Sequence, residues 1–221
     1  MTTSATPAAP RADRVETFLD WFRINSRMIA AGAAVVALAG LTYWFVTRQA
    51  QNKAENADRQ LQIARQSLLT GNTALAATDL QRVVQRWGDT PAGVQSAMLL
   101  AQIHYDKGEY QKGIEVLRKA TGDADASNKS ALEALIGDGE SQLNKFDDAA
   151  ASYRRAADAA AFTGQKAMYL ASRARALQAG GKTNEAREAW TELATRSEYS
   201  LVAGEAKVRL GELSAKPAGR S

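Results

Sequence analysis

His104 is the one histidine in 221 residues, and cysteine is absent. A general base titrating near neutral pH therefore has a single candidate, and no Ser, Cys or carboxylate motif stands in register with it. It lies beside Tyr105, near a predicted turn, and is expected to be structural. Without cysteine there is no disulfide, no Cys-based zinc site and no thiol nucleophile. Asp147-Asp148 offers paired carboxylates, but a metal would need further oxygen ligands converging on them. The pair is expected in an inter-helix turn, as an N-cap region. Gly137-Asp138-Gly139 lacks the preceding strand and following lysine of a phosphate loop, and Gly180-Gly181 reads as a helix C-cap. The expectation is a protein that is not an enzyme, with no cofactor, no metal and no small-molecule substrate.

Charge points the same way. The chain has 28 Lys and Arg against 24 Asp and Glu, a formal net charge of +4, with the two signs interspersed. That is a solvated surface rather than a basic stripe, so no nucleic-acid partner is expected. The absence of cysteine fits either side of a membrane.

The elements behind these residues are repetitive. GNTALAATDL from Gly71, GEYQKGIEVL from Gly108, NKFDDAAASY from Asn144 and GKTNEAREAW from Gly181 align at intervals of 36–37 residues. Five places after each start comes a small residue: Ala76, Gly113, Ala149, Ala186. A large one follows: Leu80, Leu117, Tyr153, Trp190. Then come Val83, Ala120, Ala156 and Leu193. Seven places before each start stands another small residue: Ala64, Ala101, Gly137, Ala174. Two antiparallel helices joined by a tight turn approach closely only where small residues face each other, and the large residue then fills the gap between neighbouring pairs. One pair cannot bury its apolar stripe alone, so stacked copies share a core. A non-repetitive helical bundle is the alternative, since alanine-rich sequences align easily.

At these positions the chain resembles tetratricopeptide repeats, whose unit is 34 residues. The resemblance spans about 57–200, in units of roughly 57–90, 94–127, 130–163 and 167–200. Each unit is longer than the family's, and the proline that often ends one is replaced by Gly88, Asp125, Ala161 and Glu198. A helix from about Tyr199 to Ser214, with Val202, Ala206, Leu210 and Leu213 on one side, would cap the stack. The resemblance implies a concave face lined by first helices. Mapping the family's groove positions gives Leu61, Arg65, Leu68, Met98, Gln102, Tyr105, Asp138, Met168, Arg175 and Gln178 as candidate contacts for a peptide or partner. Met, Tyr and Arg together suit adaptable contact with an extended or amphipathic peptide. Leu61, Leu68 and Met98 could equally be inter-repeat core. The family's basic, Asn-rich clamp for a C-terminal carboxylate is not filled in register.

The N-terminal part is different. Met28 to Val46, MIAAGAAVVALAGLTYWFV, carries no charge and is bracketed by Arg27 and Arg48. Nineteen residues make a helix of about 28 Å, close to the roughly 30 Å hydrocarbon core of a bilayer. Tyr43-Trp44-Phe45 would sit at an interface. Gly32, Ala33, Val36, Ala37 and Gly40 are small or slim side chains on shared faces, a candidate helix–helix interface. A cleaved signal peptide is the competing reading, with Ala37-Leu38-Ala39 as its site, but cutting there would leave LTYWFV exposed. A buried core helix would show a polar face, and this segment has none.

The organisation expected is a disordered tail (1–12), an amphipathic juxtamembrane helix (13–27), a transmembrane helix (28–47), a repeat domain (48–214) and a flexible tail (215–221). The fold class is all-α: a single membrane helix followed by an α-solenoid of tetratricopeptide-like helix pairs with a capping helix.

A VETFLDWFRINSR lead, one Ala/Gly-rich span ending in YWF, and then GNTALAATDLQRVV and its repeats resemble the YfgM-type ancillary proteins of the bacterial Sec translocon. That resemblance implies a single-pass inner-membrane protein in contact with lipid, its N-terminus cytoplasmic and its repeats periplasmic. Its partners would be Sec translocon subunits, a membrane-anchored periplasmic chaperone and newly translocated polypeptide clients. Charge leaves orientation open. Arg11, Arg14, Arg23 and Arg27 precede the span and Arg48, Lys53, Arg59 and Arg65 follow it. A scaffold for another envelope machine, in cytochrome maturation or outer-membrane assembly, is the alternative.

Overall fold

The computed structural model describes Trp21, Ile24, residues 26–122 and residues 124–215. The expected tail at 1–12, most of the segment expected as a juxtamembrane helix at 13–27 and residues 216–221 lie outside them. Among the described residues the chain is helical, with no strand: α1 (Ser26–Leu69), α2 (Thr73–Trp87), α3 (Pro91–Asp106), α4 (Tyr110–Thr121), α5 (Ala126–Gln142), α6 (Phe146–Ala159), α7 (Thr163–Ala179), α8 (Thr183–Thr195) and α9 (Ser200–Ser214). A short 3-10 turn, Ser197–Tyr199, leads into α9, so the capping helix begins one residue later than expected. The chain divides into two compact units, Met1–Asn52 and Lys53–Ser221.

In the first unit, α1 leaves its large apolar side chains exposed, among them Val35, Val36, Leu38, Leu41, Tyr43, Trp44 and Phe45. The helix is long and apolar enough to cross a membrane, by length and composition. Its two threonines turn their hydroxyls inward: Thr42 Oγ1 donates to the Leu38 carbonyl and Thr47 Oγ1 to that of Tyr43. Polar atoms are thereby satisfied within the helix, as an apolar medium requires. Gly32 and Gly40 have open space where a side chain would be, and Val36 and Ala37 are exposed. The side chain of Ala33 lies outside the described residues.

The second unit is the solenoid. The last turns of α1 share a core cluster with α2 through Leu61, Ala64 and Leu80; α3 pairs with α4, α5 with α6 and α7 with α8, and from α2 onward each helix packs on the next. First helices of neighbouring pairs also touch, α3 with α5, and α7 with the capping helix α9. All eight small residues of the repeat are buried at the helix crossings: Ala64 and Ala76, Ala101 and Gly113, Gly137 and Ala149, Ala174 and Ala186. Leu80, Leu117, Tyr153 and Trp190 are buried between pairs, as are Val83, Ala120, Ala156 and Leu193.

The turns explain the period. Gly71, Gly108 and Gly181 have φ of 79°, 73° and 77°, and Asn144 has φ 57°. These are the four residues that open the aligned segments. Each sits where a left-handed residue lets the chain reverse, a conformation that costs glycine nothing and asparagine little. The hydrogen bonds repeat as well. The residue after the turn donates back to the carbonyl five before it: Asn72 to Ser67, Glu109 to His104, Lys145 to Glu140, Lys182 to Leu177. This is the Schellman arrangement. The next helix starts at once, so one residue closes one helix and caps the following one.

That geometry corrects the reading of Asp147-Asp148. Lys145 is the N-cap, and both aspartates lie inside the first turn of α6. They face the positive end of the helix dipole rather than capping it. Other helix starts use side chains. Thr90 Oγ1 accepts from the Gly93 amide, with Pro91 at the first helical position, and Asp125 accepts from Asn128.

The core lies in three clusters along the solenoid. Ala57, Leu61, Leu80, Leu100 and Ile103 form the first. Val94, Ile114, Leu117, Leu132 and Ile136 form the second. Tyr153, Leu170, Trp190, Leu193, Val202 and Ala206 belong to the third, onto which Leu210 and Leu213 of α9 pack.

Candidate interaction surface

The solenoid's first helices, α3, α5, α7 and then α9, line a run of hollows that share Asp138 and Tyr153. One lies between α3 and α5 and includes Gln102, Tyr105, Asp106, Tyr110 and Ser141. A second lies between α5 and α7 and adds Phe146, Ser172 and Arg175. A third, of about 440 Å³, adds Met168, Tyr169, Leu201, Val202 and Glu205.

Asp138 is at the centre because of its neighbours in sequence. Gly137 and Gly139 flank it on α5, and a Cβ at Gly139 would stand 2.4 Å from Tyr105 Oη, one at Gly137 2.9 Å from the Tyr153 ring. The glycines thus let two tyrosines lie against the helix. Gly113 does the same for the other side of Tyr105, whose ring would be 2.3 Å from a Cβ there. Tyr105 donates to the Leu135 carbonyl at 2.9 Å and Tyr153 to Asp138 Oδ1 at 2.7 Å. Both hydroxyls titrate well above the usual tyrosine range, first because they are dehydrated. Asp138 is exposed as a residue, but its carboxyl sits in the recess between the rings. Dehydration there raises its pKa, against the Tyr153 hydrogen bond, which lowers it.

Arg175 of α7 makes a bidentate pair with Glu205 of α9, at 2.8 and 2.7 Å. The hydrogen bond to Arg175 is the main reason the Glu205 carboxyl titrates below its ordinary value. The pair ties the cap to the last repeat and leaves Arg175 largely neutralised. Met168 and Leu201 are 56% and 68% exposed beside it.

Of the ten groove positions predicted from sequence, Gln102, Tyr105, Asp138, Met168 and Arg175 come together on these hollows. The others do not. Leu61 is core, 2% exposed, and Leu68 and Met98 pack on core clusters. Arg65 donates to Gln95 at 2.8 Å, and Gln178 accepts the Trp190 indole N–H at 3.3 Å. Sequence reasoning missed Tyr153, Tyr110, Tyr169, Leu201 and Glu205. The signal for Tyr153 was available: it is the only hydroxyl-bearing residue at a position otherwise filled by Leu or Trp.

His104 is not oriented toward these hollows' chemistry. Its Nδ1 lies 2.7 Å from Glu109 Oε2, across the turn into α4. Among the described residues no group of three His, Asp or Glu side chains could hold a metal ion.

Residues 61–129 match the tetratricopeptide repeat family. No curated protein sequence matches the chain. Among solved structures, the nearly identical tetratricopeptide-like repeats of a Podosopora anserina protein assigned as a kinesin light chain superpose with a TM-score of 0.53 at 18% identity, covering 72% of this chain and 90% of that one. A methionine-substituted variant of the same repeats gives the same values. At that identity the likeness is one of fold. The family match ends at 129, but a left-handed turn residue, a small residue and a large residue recur in the same register through α8. Residues 61–129 thus carry the tetratricopeptide repeat, within a solenoid of tetratricopeptide-like fold that continues to the cap at α9.

Proposed function

We propose that this chain is a membrane-anchored, non-enzymatic interaction protein that holds polypeptide segments on its concave surface. One observation carries the reading: the hollows along α3, α5, α7 and α9 are contiguous through Asp138 and Tyr153, and mix exposed Met168 and Leu201 with tyrosine rings and carboxylates. Such a surface suits an extended or amphipathic segment. The exposed apolar stretch of α1 supplies the anchor, in the inner membrane, with the repeats in the periplasm.

The partners proposed are Sec translocon subunits, a membrane-anchored periplasmic chaperone and newly translocated clients. The support is the order of parts: an Arg-containing lead, one Ala/Gly-rich span ending in Tyr43-Trp44-Phe45, then the repeats. Full-length protein purified from membranes in mild detergent should bring Sec components with it, and photo-crosslinkers at Gly32 or Gly40 should capture them. Crosslinkers at Met168 should capture the chaperone or clients. Recovery of cytochrome-maturation or outer-membrane-assembly proteins in place of Sec components would reassign the partner. Capture of nothing at Met168 would refute the groove.

A further inference from the structure

The hollow between α3 and α5 differs from its neighbours in charge. Its rim holds two carboxylates, Asp106 and Asp138, and no basic residue. Each is occupied only by a neutral donor: Gln102 Nε2 donates to Asp106 Oδ1 at 2.8 Å, and Tyr153 Oη to Asp138 Oδ1 at 2.7 Å. Neither has an ion-pair partner among the described residues. The neighbouring hollows differ: Lys145 lines the one beside Asp147, and Arg175, paired with Glu205, lines the two toward α9. Asp89, Asp147 and Asp158 are ion-paired with Lys53, Lys182 and Arg154, while Asp58, Glu115, Asp148 and Glu188 stand exposed without an ion pair among the described residues. The walls are aromatic. Tyr105 and Tyr110 stand with ring centroids 5.6 Å apart, tilted by 44°, and Tyr153 closes the α5 side. The volume is about 410 Å³.

We infer that this hollow receives a basic side chain, arginine above all, of the polypeptide segment held on the concave surface. The inference rests on the groove reading given above and names the chemistry of its occupant. A guanidinium presents a planar fork of donors, which two carboxylates with unused oxygens can accept. Its flat face packs on tyrosine rings, where the ring quadrupole attracts a cation. An acidic side chain would meet two like charges in a recess partly shielded from water, and an apolar one would strand both carboxylates. The adjoining hollow with Met168 and Leu201 then takes an apolar residue of the same segment.

The test uses the full-length chain in detergent micelles and small probes: N-acetyl-arginine methylamide, the citrulline analogue, which has the same shape without the charge, and the glutamate analogue. Chemical shifts of the Tyr105, Asp106, Tyr110 and Asp138 amides are followed by NMR. Arginine should give saturable shifts at these four residues, about tenfold tighter than citrulline, a difference of one decade in affinity. Glutamate should give none. Asp106→Asn with Asp138→Asn should remove the tenfold preference, while Asp158→Asn should leave it intact. Should the double variant fail to fold, the arginine–citrulline comparison on the unaltered chain decides alone. Equal shifts with arginine and citrulline would overturn the charge assignment while leaving the groove reading, which is judged separately by crosslinking at Met168. Absence of arginine-induced shifts at these residues would overturn it as well.

Discussion

Gly137 and Gly139 sit inside a helix, where glycine ordinarily costs about 1 kcal/mol relative to alanine. Here the sign reverses, because Tyr105 and Tyr153 fill the space a methyl group would need. Gly139→Ala should destabilise the fold by about 1–3 kcal/mol in urea titration, the usual range for overpacking. Combining it with Tyr105→Leu should recover part of that loss. Arg118 shows how one exposed partner supports a buried one. Glu140 is 1% exposed and accepts from Ser152 at 2.6 Å and from Arg118 at 2.7 Å. Arg118→Ala leaves that carboxylate with one neutral donor and should cost about 2 kcal/mol. Arg154→Ala removes an exposed pair with Asp158 and should change stability by less than about 0.5 kcal/mol. At the turn into α4, hydrogen bonds from Lys112 and then His104 hold the Glu109 carboxyl at about 2, against an ordinary 4.5. The folded value lies below the unfolded one. The group's contribution is therefore complete above about pH 4.5 and lost as pH falls toward 2. NMR titration of the Glu109 side chain should place its midpoint near 2.

At the scale of the element, the four turns decide where every second helix begins. The left-handed residue is followed by the N-cap and then by the first helical residue: Gly108, Glu109, Tyr110 in one case and Asn144, Lys145, Phe146 in another. Gly108→Ala should lower stability by about 1–2 kcal/mol, since alanine at that φ strains the backbone. Gly204→Ala, in helical backbone with open space around it, should raise it by up to about 1 kcal/mol. Thermal melts of the two variants should move in opposite directions. The period and the pairing were legible because glycine, alanine and one large residue are each demanded by a contact at a fixed place. The N-cap was not. Asp147-Asp148 look like capping residues, but hydrogen bonding to Glu140 had already committed Lys145 to the role. The groove was half legible for a related reason. Whether a first-helix residue such as Leu61 or Met168 faces core or solvent depends on how far the neighbouring pair rotates, and a period of 36–37 residues does not state that. The ring of Tyr153 is filler, as its position in the repeat implies; its hydroxyl reaches the Asp138 carboxyl in the hollow.

For the molecule as a whole, the anchor proposed in α1 and the groove proposed on the solenoid can be tested apart. Deleting residues 1–48 should move the protein from the membrane fraction to the soluble fraction of a cell lysate and leave the helical circular dichroism of the repeats in place. Persistence of the shortened chain on membranes would place the attachment in the repeats. Removing α9 from Ser200 onward should have the contrary effect, keeping the membrane fraction but opening the last repeat. Val202 and Ala206 are part of its core, and Glu205 holds Arg175.

The three core clusters bear on how the solenoid comes apart. Since each repeat rests mainly on its neighbours, unfolding need not be a single event: an end can open while the far end stays closed. The chain carries its own reporters for this. Trp87 packs against the first cluster and Trp190 is enclosed in the last. With the remaining tryptophans, Trp21 and Trp44, replaced by phenylalanine, the two emissions should change at different urea concentrations, Trp87 and Trp190 each following its own end. A polypeptide segment drawn into the hollows beside Asp138 would bridge α3 to the later pairs and pull the second transition upward more than the first.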